Sequence, residues 1–206
     1  MKIEKFVTGI ISTNCYFVIN EETKQTVVID PAACPAYLMG HIKSEGLQVE
    51  AILLTHGHFD HIMGIGDLRI EFPVPVYAHE GDRETLLDPS LNLSISYTDG
   101  YTFDGATYVR DGQTLELAGA SFQVIHTPGH TPGGVCYYLE NEKVLFSGDT
   151  LFQNSVGRTD FPNSSMSDLI RSLREKVMAL PDDVKVYPGH MGETTIGHER
   201  KHNPFI

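Results

Sequence analysis

Between Leu53 and Gly64 the chain reads LLTHGHFDHIMG, which sets His56, His58, Asp60 and His61 within six residues behind a short apolar run. Neither a core nor an ordinary surface calls for that density of imidazole and carboxylate, whereas a metal centre does. Residues two apart on an extended chain point to one side, about 7 Å apart, so His56 and His58 can bend toward one ion at about 2.1 Å from each nitrogen. Asp60 and His61 start the helix that follows and are expected to face a second ion. Three more clusters repeat the syntax of an apolar β run and a tight turn: FQVIHTPG leads to His130, KVLFSG to Asp149 and VKVYPG to His190. The donors are then five imidazoles and two carboxylates. Such a set suits a borderline cation, Zn2+ with Fe or Mn as alternatives, and disfavours Ca2+. Seven donors are too many for one tetrahedral ion, but they fit two divalent ions if a carboxylate bridges and water completes the shells.

Two adjacent cations make hydroxide available near neutral pH and polarise the bond it attacks. Hydrolysis is therefore the expected reaction, with hydroxide held between the ions attacking a carbonyl carbon and Asp149 or Asp60 handling the proton. A thiol of pKa about 8.5 departs as thiolate without a dedicated acid, whereas an amine needs a proton donor. No extra acid adjoins the motifs, which favours thioesters or lactones over peptides.

Positioning these donors requires strands that end at one edge. Runs rich in Val, Ile, Phe and Tyr predict strands at CYFVIN, TVVID, EAILLT, VPVYAH, SFQVIHT, VCYYLE, KVLFSG and VKVYPG. Helices are predicted over Pro35 to Glu45, His61 to Phe72, Gly81 to Leu87 and Met166 to Leu180. The last has apolar residues at helical spacing, a Ser165-x-x-Asp168 capping box and Pro181 as its stop. The polar, turn-rich stretch from Asp88 to Gly112 reads as an excursion over the surface, a lid or rim. This pattern is a mixed α/β chain with strands enough for two sheets. No linker or low-complexity tract divides it, so residues 1–206 are expected to form a single domain.

Composition narrows the partners. A net charge of −12 with no basic block excludes nucleic acid and anionic membrane and leaves a small-molecule substrate; the sequence does not fix the oligomeric state. Cys15, Cys34 and Cys136 are odd in number and form no C-x-x-C pair, which predicts buried small hydrophobes in a reducing compartment. The N-terminus lacks a signal-peptide apolar region, and a cytoplasmic location is expected. His126 is expected to pack or to stand behind the ligands, and His41, His79, His198 and His202 to be surface or structural.

The motifs THGHFDH, HTPGHTPGG, FSGDTLF and YPGH, in this order, resemble those of the metallo-β-lactamase superfamily over nearly the whole chain. VGRTDFP and the ending GETTIGHERKHNPFI are similar to single-domain hydrolases of the glyoxalase II type. The resemblance implies an αββα four-layer sandwich, two mixed sheets face to face with helices outside. It implies one metal site from His56, His58 and His130 and a second from Asp60, His61 and His190, with Asp149 bridging. It also implies Asp30, in VVIDPAA, as an aspartate behind the ligands, although a turn-forming Asp before Pro31 explains it equally well. The substrate it implies is a thioester such as S-hydroxyacylglutathione, with Arg158, Arg200 and Lys201 as carboxylate-binding candidates. Two-domain relatives add a helical C-terminal domain for glutathione, which this chain is expected to lack. The alternatives are a mononuclear iron persulfide dioxygenase, a lactonase, and a metal-binding module without turnover.

Overall fold

The computed structural model describes residues 1–206. Strands β1 (Lys2–Thr8), β2 (Thr13–Ile19), β3 (Gln25–Ile29), β4 (Gln48–Leu53), β5 (Val76–His79) and β6 (Thr107–Val109) make the first sheet, hydrogen-bonded in that order. The chain continues through β7 (Thr114–Leu117), β8 (Ala120–His126), β9 (Val135–Leu139), β10 (Val144–Gly148), a small ribbon of β11 (Leu151–Phe152) and β12 (Ser155–Val156), then β13 (Lys185–Pro188) and β14 (Thr194–Thr195). The second sheet runs β14-β13-β10-β9-β8-β7. Helices α1 (Ala36–Ser44), α2 (Phe59–Ile62), α3 (Ile65–Glu71), α4 (Arg83–Leu87), α5 (Met166–Glu175) and α6 (Ile196–His202) complete the fold. None is long and apolar enough to cross a membrane.

Three apolar layers hold the elements together, and the two-residue period of a strand decides which layer each side chain enters. Along β2, Tyr16 and Val18 point between the sheets, where they join Val27, Ile29, Leu53, Phe122, Tyr137 and Phe146. Cys15, Phe17 and Ile19 point the other way, to Leu38 and Ile42 of α1 and Leu68 of α3. On the far side, Cys136 of β9 and Leu145 of β10 meet Leu169 and Leu173 of α5 and Ile196 of α6. Strands covered on both faces favour apolar residues on both, which explains the runs Cys15–Ile19 in β2, Val135–Leu139 in β9 and Val144–Phe146 in β10. The architecture is the expected αββα sandwich.

All eight predicted strands are present, but six others carry weaker patterns. At the sheet edge, β1 mixes Lys2, Glu4 and Lys5 among Ile3 and Phe6, the charged marking of an edge strand. The stretch from Asp88 to Gly112 is only partly a surface excursion, because its end forms β6 and pairs in parallel with β5. The helix expected from His61 to Phe72 is two helices. Gly64 separates them, with its N–H donating to the Pro31 carbonyl at 2.7 Å. Ser165 Oγ caps α5 by accepting from Asp168 N–H at 3.3 Å as predicted. The α-helix stops at Glu175, however, and a 3-10 turn over Val177–Ala179 replaces its last turn. Likewise, a 3-10 turn over Glu80–Asp82 precedes α4. Cys15 and Cys136 are fully buried, whereas Cys34 is only partly so.

The Gly64 junction gives a direct test of packing. An added Cβ would lie 2.7 Å from the Pro31 carbonyl oxygen and 2.8 Å from the Ala33 carbonyl carbon, both backbone, whereas one on Gly66 meets nothing within 4 Å. Chemical denaturation should show Gly64→Ala destabilised by about 1–3 kcal/mol and Gly66→Ala, inside α3, stabilised by about 0.5–1 kcal/mol. Equal effects would contradict the close approach.

Candidate metal centre

Strand directions bring the donors to one edge. β3 and β4 are parallel, and so are β10 and β13; β8 runs with β10 because each is antiparallel to β9. Hence the turns after β3 and β4, carrying Asp30 and the His56–His61 cluster, leave one edge of the first sheet. Those after β8, β10 and β13, carrying His130, Asp149 and His190, leave one edge of the second, and the contacts among these residues show that the two edges coincide. The seven predicted donors converge there, and all but Asp149 and His190, which are partly exposed, are buried.

They fall into overlapping clusters: His56, His58 and His130; Asp60, His61 and His190; and His56, His61 and Asp149. His58 Nδ1 lies 2.9 Å from His130 Nε2. Asp60 Oδ2 lies 3.1 Å from His190 Nε2 and 3.3 Å from His61 Nε2. Asp149 faces both groups, with Oδ1 at 3.4 Å from His61 Nε2 and Oδ2 at 3.6 Å from both His130 and His190 Nε2. Donor atoms sharing a tetrahedral ion at about 2.1 Å stand about 3.4 Å apart. His56 Nε2, His61 Nε2 and Asp149 Oδ1 are buried without any hydrogen-bond partner. Buried polar atoms are seldom left so, and these three point at their fellow donors. The residues present therefore fit divalent cations.

Supporting contacts choose which nitrogen each imidazole presents. His61 Nδ1 lies 2.9 Å from Asp30 Oδ2, His56 Nδ1 3.1 Å from Thr55 Oγ1, and His130 Nδ1 2.7 Å from the Arg158 carbonyl. Each leaves Nε2 free for the centre. Asp30 also accepts from Thr55 N–H at 2.8 Å and Thr55 Oγ1 at 2.6 Å, and its backbone is held at φ 51°. It thus turns the chain and backs the cluster at once. The His190 loop hangs from β2: Tyr16 Oη and Asn14 Nδ2 donate to the Pro188 carbonyl, and Asn14 N–H donates to the Gly189 carbonyl. Thr13 Oγ1 donates to Asp60 Oδ2 at 2.9 Å.

Sequence reasoning missed these supports and missed Asp82 entirely. Its buried carboxylate accepts from Gly57 N–H at 2.8 Å, between His56 and His58, and from Thr131 Oγ1 at 2.8 Å and Gly133 N–H at 2.7 Å, just after His130. One side chain therefore fixes the spacing of two ligand loops. Burial raises its pKa, against the pull of the hydrogen bonds from Thr131, Gly133 and Gly57. Nothing in HEGDRE announces this, because the partners are distant in sequence.

The charge balance suits cations. Burial and then neighbouring imidazoles push His56 well below its usual pKa, and burial with His130 brings His58 down to about 3, so both are neutral donors. Burial would raise Asp60 and Asp149, but His61 and its neighbours outweigh it and hold both low, as carboxylates. For His61, burial opposes a charge while Asp60, Asp30 and Asp149 overcome it and raise its pKa.

The centre opens into a cavity of about 280 Å3. Arg158 lines it, but its Nε and Nη2 donate to Asp160 at 2.9 and 2.7 Å. Arg200 and Lys201 do not line it. Arg200 pairs with Asp182 and donates to the carbonyls of Met178 and Leu180 at the turn after α5, and Lys201 is exposed on α6. Tyr97 of the 88–112 stretch lines the cavity, whereas Tyr101 packs on the core. His126 packs as expected, stacked on the buried His79 with ring centroids 3.9 Å apart. His41 pairs with Glu4, and His198 and His202 remain on α6.

Removing the Asp82 carboxylate orphans four buried donors, the N–H groups of Gly57 and Gly133 and the hydroxyls of Thr131 and Thr85, at about 1–3 kcal/mol each before relaxation. Asp82→Ala should lose about 3 kcal/mol or more of unfolding free energy in a denaturant titration. A loss below about 0.5 kcal/mol, the scale of a surface change, would contradict its bracing role.

Known proteins share this fold. A B3 metallo-beta-lactamase, BLEG-1, superposes with a TM-score of 0.92 at 42% identity, over 99% of each chain. TTHA1623, solved in a di-iron-bound form, gives 0.88 at 35% identity, over 98% of this chain and 100% of that one. A hydroxyacylglutathione hydrolase, GloC, of Haemophilus influenzae is 35% identical across 100% of this chain and 98% of its own length. The family description "Metallo-beta-lactamase superfamily" matches residues 8–190, and the chain belongs to that superfamily.

Proposed function

We infer that the protein is a hydrolase of thioesters working with two adjacent divalent cations, of which Zn2+ suits the donors best. The shared carboxylate carries this reading: Asp149 turns one oxygen to His61 and the other to His130 and His190, so two complete donor clusters meet at one residue. Bound there, two cations would supply an acidified water and a Lewis acid for a carbonyl. His56, His58 and His130 would hold one and Asp60, His61 and His190 the other, with Asp149 facing both. Asp30, Thr55 and the Arg158 carbonyl keep the imidazoles in the donating tautomer. Asp149 and Asp60, both ionised, are the acceptors within the centre for a proton released during attack. Thiolate as leaving group asks for no further acid, in keeping with a cavity whose only titratable groups beyond the donors are Tyr97 and Arg158. The name of the Haemophilus influenzae relative points to the same chemistry.

The di-iron relative favours iron as the alternative pair of cations, and a mononuclear iron persulfide dioxygenase is a separate reading. An oxygenase acting on a persulfide would consume dioxygen and release sulfite, which thioester hydrolysis does not. Asp60 and His61 belong to both readings, and the hydrolase rests instead on the thiolate leaving group, which needs no further acid, and on the name of the Haemophilus influenzae relative. Donors this complete tell against a module without turnover.

Chelation should abolish thioester cleavage, and added Zn2+ should restore it. His58→Ala and Asp149→Ala should each lower kcat by more than about 100-fold, beyond the cost of losing a mere supporting partner, with circular dichroism unchanged. Full activity in the chelated protein or in Asp149→Ala would overturn the reading, and sulfite from a persulfide would favour the oxygenase.

A further inference from the structure

The cleft beside the centre is apolar and is held open at a cost in backbone strain. Leu93 and Met191 both line it, and both are non-glycine residues in the left-handed region, at φ 68° and 67°. Bulky side chains seldom adopt that conformation; where they do, surrounding contacts must enforce it, and such sites cluster at ligand clamps. The enforcing contacts here are buried asparagines. Asn14 Nδ2 donates to the Met191 carbonyl at 3.0 Å, while Asn92, immediately before Leu93, accepts from Ser94 N–H at 2.9 Å and donates to the Tyr101 carbonyl at 2.7 Å. Ile11 and Tyr97 line the same cleft, and with Met191 they stand 41%, 55% and 61% exposed. Tyr97 is stacked on Phe59 with ring centroids 4.6 Å apart, which fixes its face. Exposed apolar side chains gathered at the mouth of a polar centre mark a ligand surface.

Charge points the same way. Arg158 is the one cationic side chain in the lining apart from the donor imidazoles, and it lies over the Phe161 ring at 4.4 Å while paired to Asp160. That ion pair is exposed and exchangeable, so a single substrate carboxylate could displace Asp160. A second would find no other lysine or arginine in the lining to pair with.

Building on the hydrolase reading, we propose that the preferred substrate is a thioester whose non-reacting arm is an uncharged aliphatic chain clamped by Leu93, Met191, Ile11 and Tyr97, not a thiol bearing two carboxylates. The clamp binds and orients the arm, and the centre described above carries out the cleavage.

The test uses the full-length zinc-loaded protein. Acetyl, butyryl and hexanoyl thioesters of N-acetylcysteamine should show kcat/KM rising about fourfold for each methylene that reaches the clamp. S-lactoylglutathione should fall at least about tenfold below the hexanoyl ester. Met191→Gly and Leu93→Gly remove the side chain and relieve the strained φ, so the melting temperature should hold or rise while the chain-length dependence flattens through KM. A chain-length profile that is flat in the wild type, or S-lactoylglutathione as the better substrate, would overturn the proposal. Calorimetric binding of propyl and hexyl thioethers of N-acetylcysteamine, which cannot be hydrolysed, separates the two readings. Hexyl binding at least about tenfold tighter with no thioester cleaved would uphold the clamp and remove the hydrolase, whereas cleavage without that difference would do the reverse.

Discussion

Two carboxylates and five imidazoles packed into a largely buried space cannot satisfy one another, and this constraint organises the rest of the molecule. Burying an ionised carboxylate without compensation is prohibitively costly. The protein offers part of that compensation itself, by raising His61 and His190 and by donating to Asp60 from Thr13. His56 Nε2, His61 Nε2 and Asp149 Oδ1 are still left without partners. Divalent cations would displace the proton from His61, meet the lone pairs and balance the negative charge together. Features that look decorative in isolation, such as the positive φ of Asp30 or the glycine at 189, then have a common cause. A Cβ on Gly189 would lie 2.3 Å from Asp149 Oδ1.

The scaffold around the centre is correspondingly rigid. Strands from both sheets deliver the donors, and the inter-sheet layer of Tyr16, Leu53, Tyr137 and Phe146 fixes the sheets against each other. Tyr16 serves both purposes, with its ring in that layer and its hydroxyl on the Pro188 carbonyl. Asp82 links the loops after β4 and β8 in the same manner, from a third element. The cleft differs: the residues at its mouth come from the β1–β2 turn, the 88–112 stretch and the segment after His190, loops that can vary while the donors stay fixed. On the proposed reading, the strand ends would set the reaction type and the loops the substrate choice.

Donors and scaffold were legible in the sequence for a physical reason. Strands buried on both faces favour apolar residues on both, and a metal cluster concentrates residue types that are otherwise rare together, so both signals are local. Long-range supports leave no such mark: Asp82 bonds residues 25, 49 and 51 positions away and reads as an ordinary acidic residue near a helix start. The break at Gly64 arises from contact with Pro31 on another segment, and β6 and β14 are too short to carry a period. Arg200 and Lys201 drew attention by charge alone, although packing against the turn after α5 holds Arg200 away from the cavity. The left-handed backbones at Leu93 and Met191 had no sequence signal, because neither is glycine or asparagine.

Anomalous diffraction at the zinc edge from crystals of the zinc-loaded protein tests the central claim most directly. Two adjacent peaks are expected, one against His56, His58 and His130 and one against Asp60, His61 and His190, with Asp149 between them. A centre with no anomalous density among these seven side chains in fully loaded protein would contradict the account.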